Sequence, residues 1–236
     1  MATFLQLVNT ARMEAGLASG DLTTLQSGLN QESTRFKTWV RDEWRRIQVS
    51  SPSWQFLRVS GEFTTTADQG LYTPQQAGAT SDGTSTGTSI LADWKRDSFR
   101  LSTSGSGYAD EAILGYMPWD TYRNLYQYGA MRAARSKPVV FTVDPQKNIL
   151  LGQVPNGSYI ASYEFYRTPQ ELSADTDEPL CPARFHDLIA YRALRAYGIF
   201  MSAPEVISRA DSVIDTLAAD LANDQLPAMM TGNPLA

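Results

Sequence analysis

Residues 35–47 read Arg-Phe-Lys-Thr-Trp-Val-Arg-Asp-Glu-Trp-Arg-Arg-Ile and form a strongly helical pattern. The apolar side chains fall at offsets 0, 3, 4, 8 and 11, which places them on one helix face. They are Phe36, Trp39, Val40, Trp44 and Ile47. Two tryptophans on one face bury a large apolar area, at about 25 cal/mol per Å². The stretch therefore predicts an amphipathic helix over about residues 32–49.

Helical patterns also lie at both ends of the chain. An apolar stripe predicts a helix over residues 3–15, and residues 183–201 predict another one. Ser202 and Glu205 have the spacing of a capping box, which predicts the start of a last helix. We expect that helix to bury Val206, Ala210, Val213, Leu217 and Leu221.

The middle of the chain has the two-residue period of β-strands. Predicted strands cover residues 56–63, 71–73, 90–93, 99–101, 139–143, 149–151 and 159–166, and a short helix covers 118–128. Residues 75–88 are rich in Gly, Ser and Thr with almost no apolar side chain to bury, which predicts a mobile surface loop.

These elements predict an α+β fold. The N-terminal helices (residues 1–53) and the C-terminal helices (residues 169–224) form one helical bundle, with an antiparallel β-rich domain (residues 54–168) inserted between them. Residues 225–236 are predicted to form an extended tail, because Pro227 and Pro234 do not continue a helix.

Composition sets limits on the class of protein. The 236 residues are 42% hydrophobic, which supplies a core, and no run of 18 apolar residues predicts a membrane span. The N-terminus lacks the layout of a signal peptide, so we expect a cytoplasmic protein. One cysteine excludes an intrachain disulfide, and a net charge of −5 argues against a surface that binds nucleic acid throughout.

The charge is unevenly distributed. Residues 35–46 hold five basic and two acidic side chains, and acidic residues outnumber basic ones after Glu171. Complementary subunit faces have this asymmetry. Solvated helix faces have it too, and composition alone favours that simpler interpretation.

Catalytic chemistry finds little support in the sequence. His186 is the only histidine, and its neighbour Asp187 points about 100° away on a helix. A dyad with Cys181 requires the intervening loop to fold back, so a capped or partly buried histidine is favoured. The acidic loop with Asp175, Asp177 and Glu178 is expected to be solvated rather than to bind a cation. We therefore expect no cofactor, no metal and no enzymatic activity.

Aromatic residues allow two further interpretations. Tyr163, Tyr166, Tyr191 and Tyr197 lie near arginines in the sequence and resemble a base-stacking series, although their spacing favours core packing. An exposed Trp94 or Trp119 would suit carbohydrate binding.

A set of short motifs points to a known family by its order and spacing. In chain order the motifs are Trp39-Val40 with Asp42 and Ile47; Trp54 with Phe56; Lys137-Pro138 before Phe141; Asn148 to Leu151; Pro155 with Gly157 and Tyr159; Tyr163 with Tyr166, Arg167 and Pro169; Asp177 with Pro179 and Pro182; and Phe185 to Ile189 followed by Arg192-Ala193. Over roughly residues 3–200 the chain resembles the head-to-tail adaptor (connector or neck) proteins of tailed bacteriophages.

This resemblance implies a structural protein of the virion neck. Such proteins form a ring, commonly a dodecamer, beneath the portal and continue the DNA channel to the tail, nozzle or tail tube. A helical bundle forms the ring body and a β-rich domain projects from it. Genomic DNA passes through without sequence-specific binding, no membrane is involved, and assembly takes place in the host cytoplasm.

The resemblance and the charge pattern together suggest contact residues. A ring needs two different faces that meet, and the basic and acidic helices supply a candidate pair. The predicted subunit interface consists of Arg35, Arg41, Arg45, Arg46, Asp211 and Asp215. C-terminal segments of such rings often reach the portal, and the predicted portal contact consists of Leu226, Pro227, Met229, Met230 and Pro234. An acidic lumen would let DNA slide, because phosphate binding needs lysine and arginine.

Two other functions remain open. One is a different structural role in the virion, as a tail terminator or fibre-joining protein. The other is a virion-associated hydrolase or nuclease, which would need clustered histidines or carboxylates in a cleft.

Overall fold

The computed structural model describes residues 2–17, 20–81, 83–85 and 87–226. The chain divides into two units: a helical unit of Met1–Leu57 with Pro169–Ala236, and a β-rich unit of Arg58–Thr168. The two ends of the chain therefore fold together, and the strands form a body of their own. The predicted α+β fold, with terminal helices around an inserted β-rich domain, is confirmed.

The described residues form five α-helices: α1 (Phe4–Glu14), α2 (Gln31–Val49), α3 (Trp119–Tyr126), α4 (His186–Met201) and α5 (Pro204–Gln225). Local chemistry explains where α2 begins, because the Asn30 side chain accepts a hydrogen bond from the Ser33 N–H at 2.7 Å. The predicted stripe is largely correct: Phe36, Val40 and Trp44 are fully buried.

Helix α4 is the centre of the helical unit, because α1, α2 and α5 all pack against it. It buries Leu188, Ile189 and Leu194. Near its end, Gly198 allows α5 to approach closely, since a Cβ at this position would lie 2.9 Å from Cγ1 of Ile207. A helix covered on several sides must be apolar around most of its circumference, which α4 is.

The predicted capping box between α4 and α5 is wrong. Ser202 has φ 54° and ends α4 in the left-handed conformation, so Ala203 and not Ser202 precedes the first residue of α5. Ala203 has no side-chain cap, and Pro204 begins the helix instead. The serine needed for the capping box is used to turn the chain between two packed helices.

The predicted apolar stripe of α5 is partly wrong. Ala210 and Leu221 are buried as expected, but Ile214 is buried in place of its neighbour Val213. The helix therefore sits slightly rotated from the predicted stripe. Side chains of both stripes are apolar, so the sequence pattern did not distinguish them.

Eleven strands lie in the described part of the β-rich unit: β1 (Arg58–Thr64), β2 (Leu71–Tyr72), β3 (Leu91–Trp94), β4 (Arg100–Thr103), β5 (Ala112–Ile113), β6 (Gly115–Tyr116), β7 (Arg135–Ser136), β8 (Val140–Val143), β9 (Ile149–Gly152), β10 (Val154–Pro155) and β11 (Tyr159–Arg167). One sheet has the order β1-β11-β4-β5, with β3 also paired to β11, and a second has the order β2-β9-β8-β6. Only Leu114 separates β5 from β6, so the chain passes there from one sheet to the other. Pairing is antiparallel except for β6 with β8 and β7 with β10.

Tyr163 on β11 is at the centre of the core between the sheets. Its ring centroid lies 5.1 Å from that of Trp94 and 5.6 Å from that of Phe99. Burial raises the pKa of the Tyr163 phenol, and its hydroxyl donates a hydrogen bond to the Ala77 carbonyl. The cluster explains why Trp94, considered above as an exposed carbohydrate-binding residue, is buried, with its indole N–H bonded to the Lys147 carbonyl at 2.8 Å.

The prediction that residues 75–88 form a mobile surface loop, with almost no apolar side chain to bury, is wrong for the first half of this segment. Ala77 and Ala79 are fully buried, and Thr80 pairs with Ser89 in an isolated β-bridge. Small side chains bury little area each, so composition alone suggested a loop. The hydrogen bond from Tyr163 gives this segment its place in the core.

We expect Gly61→Ala to destabilise the β-rich unit. Gly61 lies opposite Tyr163 in the β1–β11 register, and a Cβ there would be 2.6 Å from the Tyr163 hydroxyl oxygen. Overpacking of this kind costs about 1–3 kcal/mol. Urea unfolding measures the loss. Gly157→Ala is the matched control, because nothing lies within 4 Å of its Cβ; equal stability of the two variants would contradict the steric argument.

Tyr163→Phe is expected to lower the free energy of unfolding by about 1–3 kcal/mol, because the buried Ala77 carbonyl loses its donor. Tyr166→Phe, three residues along the same strand and half-buried, should change stability by less than about 0.5 kcal/mol. Urea unfolding of both variants tests the difference. A Tyr163→Phe protein as stable as the control would show that the hydroxyl does not hold residues 74–81.

Candidate functional site

The candidate catalytic histidine is part of the helical core. His186 at the start of α4 is 1% exposed. Its Nδ1 accepts a hydrogen bond from the Ala2 N–H at 3.1 Å, and its Nε2 lies 3.0 Å from the Cys181 carbonyl oxygen. The imidazole thus bonds the backbone of Cys181 and not its thiol, and burial raises the pKa of that thiol to about 12. This arrangement ties the N-terminus to the start of α4.

The acidic loop before α4 likewise has a structural role. The Asp175 carboxylate accepts hydrogen bonds from the Thr24 hydroxyl at 2.6 Å and the Leu25 N–H at 2.9 Å. The Asp177 carboxylate accepts from the N–H groups of Ser173 and Ala174 at 2.7 and 2.8 Å. These bonds lower the pKa of both aspartates. Within the ranges that the structure describes, no group of three or more His, Cys, Asp or Glu side chains is arranged to hold a metal ion.

The outer face of α2 carries predicted interface residues. Arg41 and Arg45 are exposed and lie one turn apart. Arg41 lies 3.8 Å from Asp42 and Arg45 lies 4.0 Å from Glu171, which are loose ion pairs in solvent. Pairs of this kind contribute little to stability, so both guanidinium groups stay available to a partner.

A second group of predicted interface residues meets within one chain. Arg46 from α2 and Asp211 and Asp215 from α5 line the same groove of about 440 Å³ across α4. Asp211 is already paired with Arg195 at 2.6 Å. Part of the charge complementarity is therefore satisfied inside the subunit, and the sequence pattern did not distinguish this from a contact between subunits.

Glu43 is a residue of this groove that sequence reasoning missed. It is almost buried between Arg46, at 2.5 Å, and Arg192, at 4.0 Å. The helical spacing indicates its burial, because Glu43 lies seven residues after Phe36 and so belongs to the buried stripe of α2. A nearly buried carboxylate needs partners of opposite charge, which the two arginines provide.

An aromatic cluster joins α2 to the end of α4. Trp39 lies 5.3 Å from Phe36, 6.3 Å from Tyr197 and 5.9 Å from Phe200 between ring centroids. The Arg35 guanidinium lies 4.3 Å above the Phe200 ring. Tyr197 is thus part of a packed helix–helix contact, whereas Tyr163 of the supposed stacking series belongs to the core of the β-rich unit.

A polar groove of about 640 Å³ lies on the outward face of β1 and β11. Its basic residues are matched by carboxylates of the same face: Glu164 pairs with Arg58 and lies 3.3 Å from Lys95, and Arg100 lies 3.7 Å from Glu111. Mutual neutralisation leaves no single-sign field to attract a charged ligand.

Of the predicted portal contact, only Leu226 lies in the described part of the chain. Gln225 still belongs to α5, so the helix includes the first residue of the predicted tail. Leu226 is extended, with φ −99° and ψ 148°, and its N–H donates to the Ala222 carbonyl at 3.0 Å. Pro227, Met229, Met230 and Pro234 lie outside the described residues.

Among the helices of the described residues, none is long and apolar enough to cross a membrane. The sequence of residues 2–232 matches the family described as SU10 adaptor protein. The chain therefore belongs to this family of bacteriophage head-to-tail adaptors, and the resemblance drawn from its motifs is confirmed. No curated protein matches the chain.

Membership of the adaptor family defines the general role of this protein. The protein is a structural adaptor of a bacteriophage that takes part in tail assembly. An adaptor of this kind is a virion component that contacts portal and tail proteins.

Asp177→Asn is expected to destabilise the helical unit in a pH-dependent way. The folded-state pKa of Asp177 is lowered, first by the hydrogen bond from the Ser173 N–H. Its contribution is therefore fully present above an unfolded-state pKa of about 3.9 and is lost as pH falls through the lower folded-state value.

Thermal unfolding from pH 7 to pH 3 tests the pH dependence of the Asp177 contribution to stability. At pH 7 the Asp177→Asn variant should melt a few degrees below the wild type, and the difference between the two melting temperatures should begin to shrink below about pH 4. Exposed Asp21→Asn is the control with no expected difference. A gap that stays constant down to pH 3 would show that the carboxylate charge is not responsible.

Proposed function

We propose that this protein forms a ring beneath the phage portal, continues the DNA channel and joins it to the tail or nozzle. We further propose that the ring contains twelve copies and that genomic DNA passes through it without sequence-specific binding. In this proposal the protein assembles in the host cytoplasm and has no enzymatic activity. The adaptor family supports the coarse role. The arrangement of α2 and α5 supports the ring.

The observation that carries this proposal is a pair of outer faces with opposite charge. Helix α2 has five basic and three acidic side chains, whereas α5 has five acidic side chains and one basic one. Glu205, Asp215 and Asp220 form no ion pair with any described residue and lie on the exposed side of α5. Exposed acidic groups on α5 and loosely paired arginines on α2 favour contact between copies.

The position of the two helices suits a ring. Helix α2 contacts α4 through Tyr197 and Phe200, while α5 contacts it through Gly198 and Arg195. At about 100° per residue these pairs lie on roughly opposite sides of α4. The outer faces of α2 and α5 therefore point in different directions, as a head-to-tail contact requires.

The predicted interface becomes more specific in this proposal. Arg41 and Arg45 on α2 meet the exposed acidic side of α5 of the next copy, including Asp215. Arg46 and Asp211 stay partly engaged within their own chain. The tail from Leu226, with Pro227, Met229, Met230 and Pro234, is proposed to contact the portal.

Reversal of charge at Arg41 and Arg45, both to Glu, is expected to weaken ring assembly at least tenfold, because two attractions become repulsions. Electron microscopy of the protein mixed with the portal of the same phage counts the rings. The Arg41→Lys, Arg45→Lys variant keeps the charge and should assemble. Adding Asp215→Lys and Asp220→Lys to the charge-reversed chain should restore rings.

Two results would contradict the proposal. Rings that form equally well from the charge-reversed variant would remove the assigned interface. Binding to the tail tube but not to the portal would instead assign the protein to the tail terminator role.

A further inference from the structure

The last turn of α4 exposes three consecutive apolar side chains. Ile199 is 55% exposed, Phe200 52% and Met201 53%. Consecutive helical residues point about 100° apart, so together they cover more than half of the helix circumference. Clustered exposure of large apolar side chains is typical of an interaction site.

The exposed end of α4 is fixed in place by aromatic contacts with α2. Phe200 packs on Trp39, and Tyr197 packs on Phe36 with ring centroids 5.2 Å apart. Arg35 covers one side of the Phe200 ring. We use the term aromatic surface for Arg35, Trp39, Tyr197, Phe200 and Met201, which line a groove of about 310 Å³. Binding hot spots are enriched in Trp, Tyr and Arg, and a surface held rigidly loses little entropy on binding.

The charges around the aromatic surface select its partner. Arg35 is part of it and Glu32 lines the same groove, while the exposed Arg41 and Arg45 lie further along the same helix, so the surroundings are basic on balance. Two copies that met through their aromatic surfaces would bring the basic sides of two α2 helices together, which is unfavourable. A partner with an acidic face and small side chains suits the site better.

The outer side of α5 has this chemistry. Between Asp215 and Asp220, which form no ion pair with a described residue, lies Ala219, whose exposed small side chain leaves room for a ring to approach the helix. The same side of α5 already supplies the acidic half of the proposed ring contact. We extend that contact to the aromatic surface, so that an apolar centre is flanked by ion pairs, as in stable interfaces.

We propose that the aromatic surface is the apolar centre of the contact between neighbouring copies and receives the outer side of α5, around Ala219, from the next copy. This inference rests on the proposed ring. It assigns the binding energy to Phe200 and Met201, and the specificity and orientation to the charges on either side.

Disulfide trapping tests the geometry. The only cysteine, Cys181, is buried and its pKa is raised to about 12, so it should contribute little to disulfide formation. The full chain with Phe200→Cys and Ala219→Cys together, assembled on the portal and oxidised, should give a ladder of covalent multimers on a non-reducing gel. Phe200→Cys alone should stay monomeric. Dimers from Phe200→Cys alone would mean that aromatic surfaces face each other, and no ladder from the double variant in intact rings would overturn the proposal.

Phe200→Ser separates this inference from the ring itself. It should lower ring assembly at least tenfold while the melting temperature stays within a few degrees, because the side chain is already half exposed. Val49→Ser, which removes another exposed apolar side chain from the end of α2, is the control and should assemble normally. If Phe200→Ser forms normal rings while charge reversal at Arg41 and Arg45 abolishes them, the aromatic contact is refuted. The proposed ring itself would then still be supported.

Discussion

The burial of α4 is the constraint on which the helical unit depends. This helix needs apolar cover on several sides, and α1 and α2 come from one end of the chain while α5 comes from the other. His186 and the acidic loop reinforce this closure with hydrogen bonds that join residues far apart in sequence. Because both ends are used in one core, the middle of the chain is free to form a separate β-rich unit.

Opposite charges in this protein serve two purposes, according to whether they pair closely within the chain or remain exposed. Glu43 and Asp211 face arginines of their own chain across the groove on α4. Asp215 and Asp220 make no ion pair with a described residue, and Arg41 is exposed on α2. Inner pairs hold the helices in place, whereas outer charges are available to another molecule. An assembly protein of the adaptor family needs both, because its faces must be rigid before they can be complementary.

Much of the fold could be predicted from the sequence, since its helices and strands have clear periodicities. The stripe of α2, the alternation of β11 and the use of both ends in one bundle are local signals of this kind. The errors share a physical cause. Ser202 and residues 75–81 adopt their conformations because of packing between elements: α4 and α5 pack closely at Gly198, and the Tyr163 hydroxyl reaches Ala77. The charged residues of the candidate site could be predicted from the sequence. The aromatic surface could not, because nothing in the sequence around Phe200 indicates that its ring packs beside α2 and stays half exposed.

The sequence by itself determined the class of fold, the buried face of α2 and the resemblance to phage adaptors, because hydrophobic period and motif order are properties of the linear chain. Only the tertiary structure decided which charges pair inside the subunit, which aromatic rings stay exposed and that a loop of small residues belongs to the core. These outcomes depend on distances between residues more than a hundred positions apart in some cases, and such distances exist only once the chain has packed.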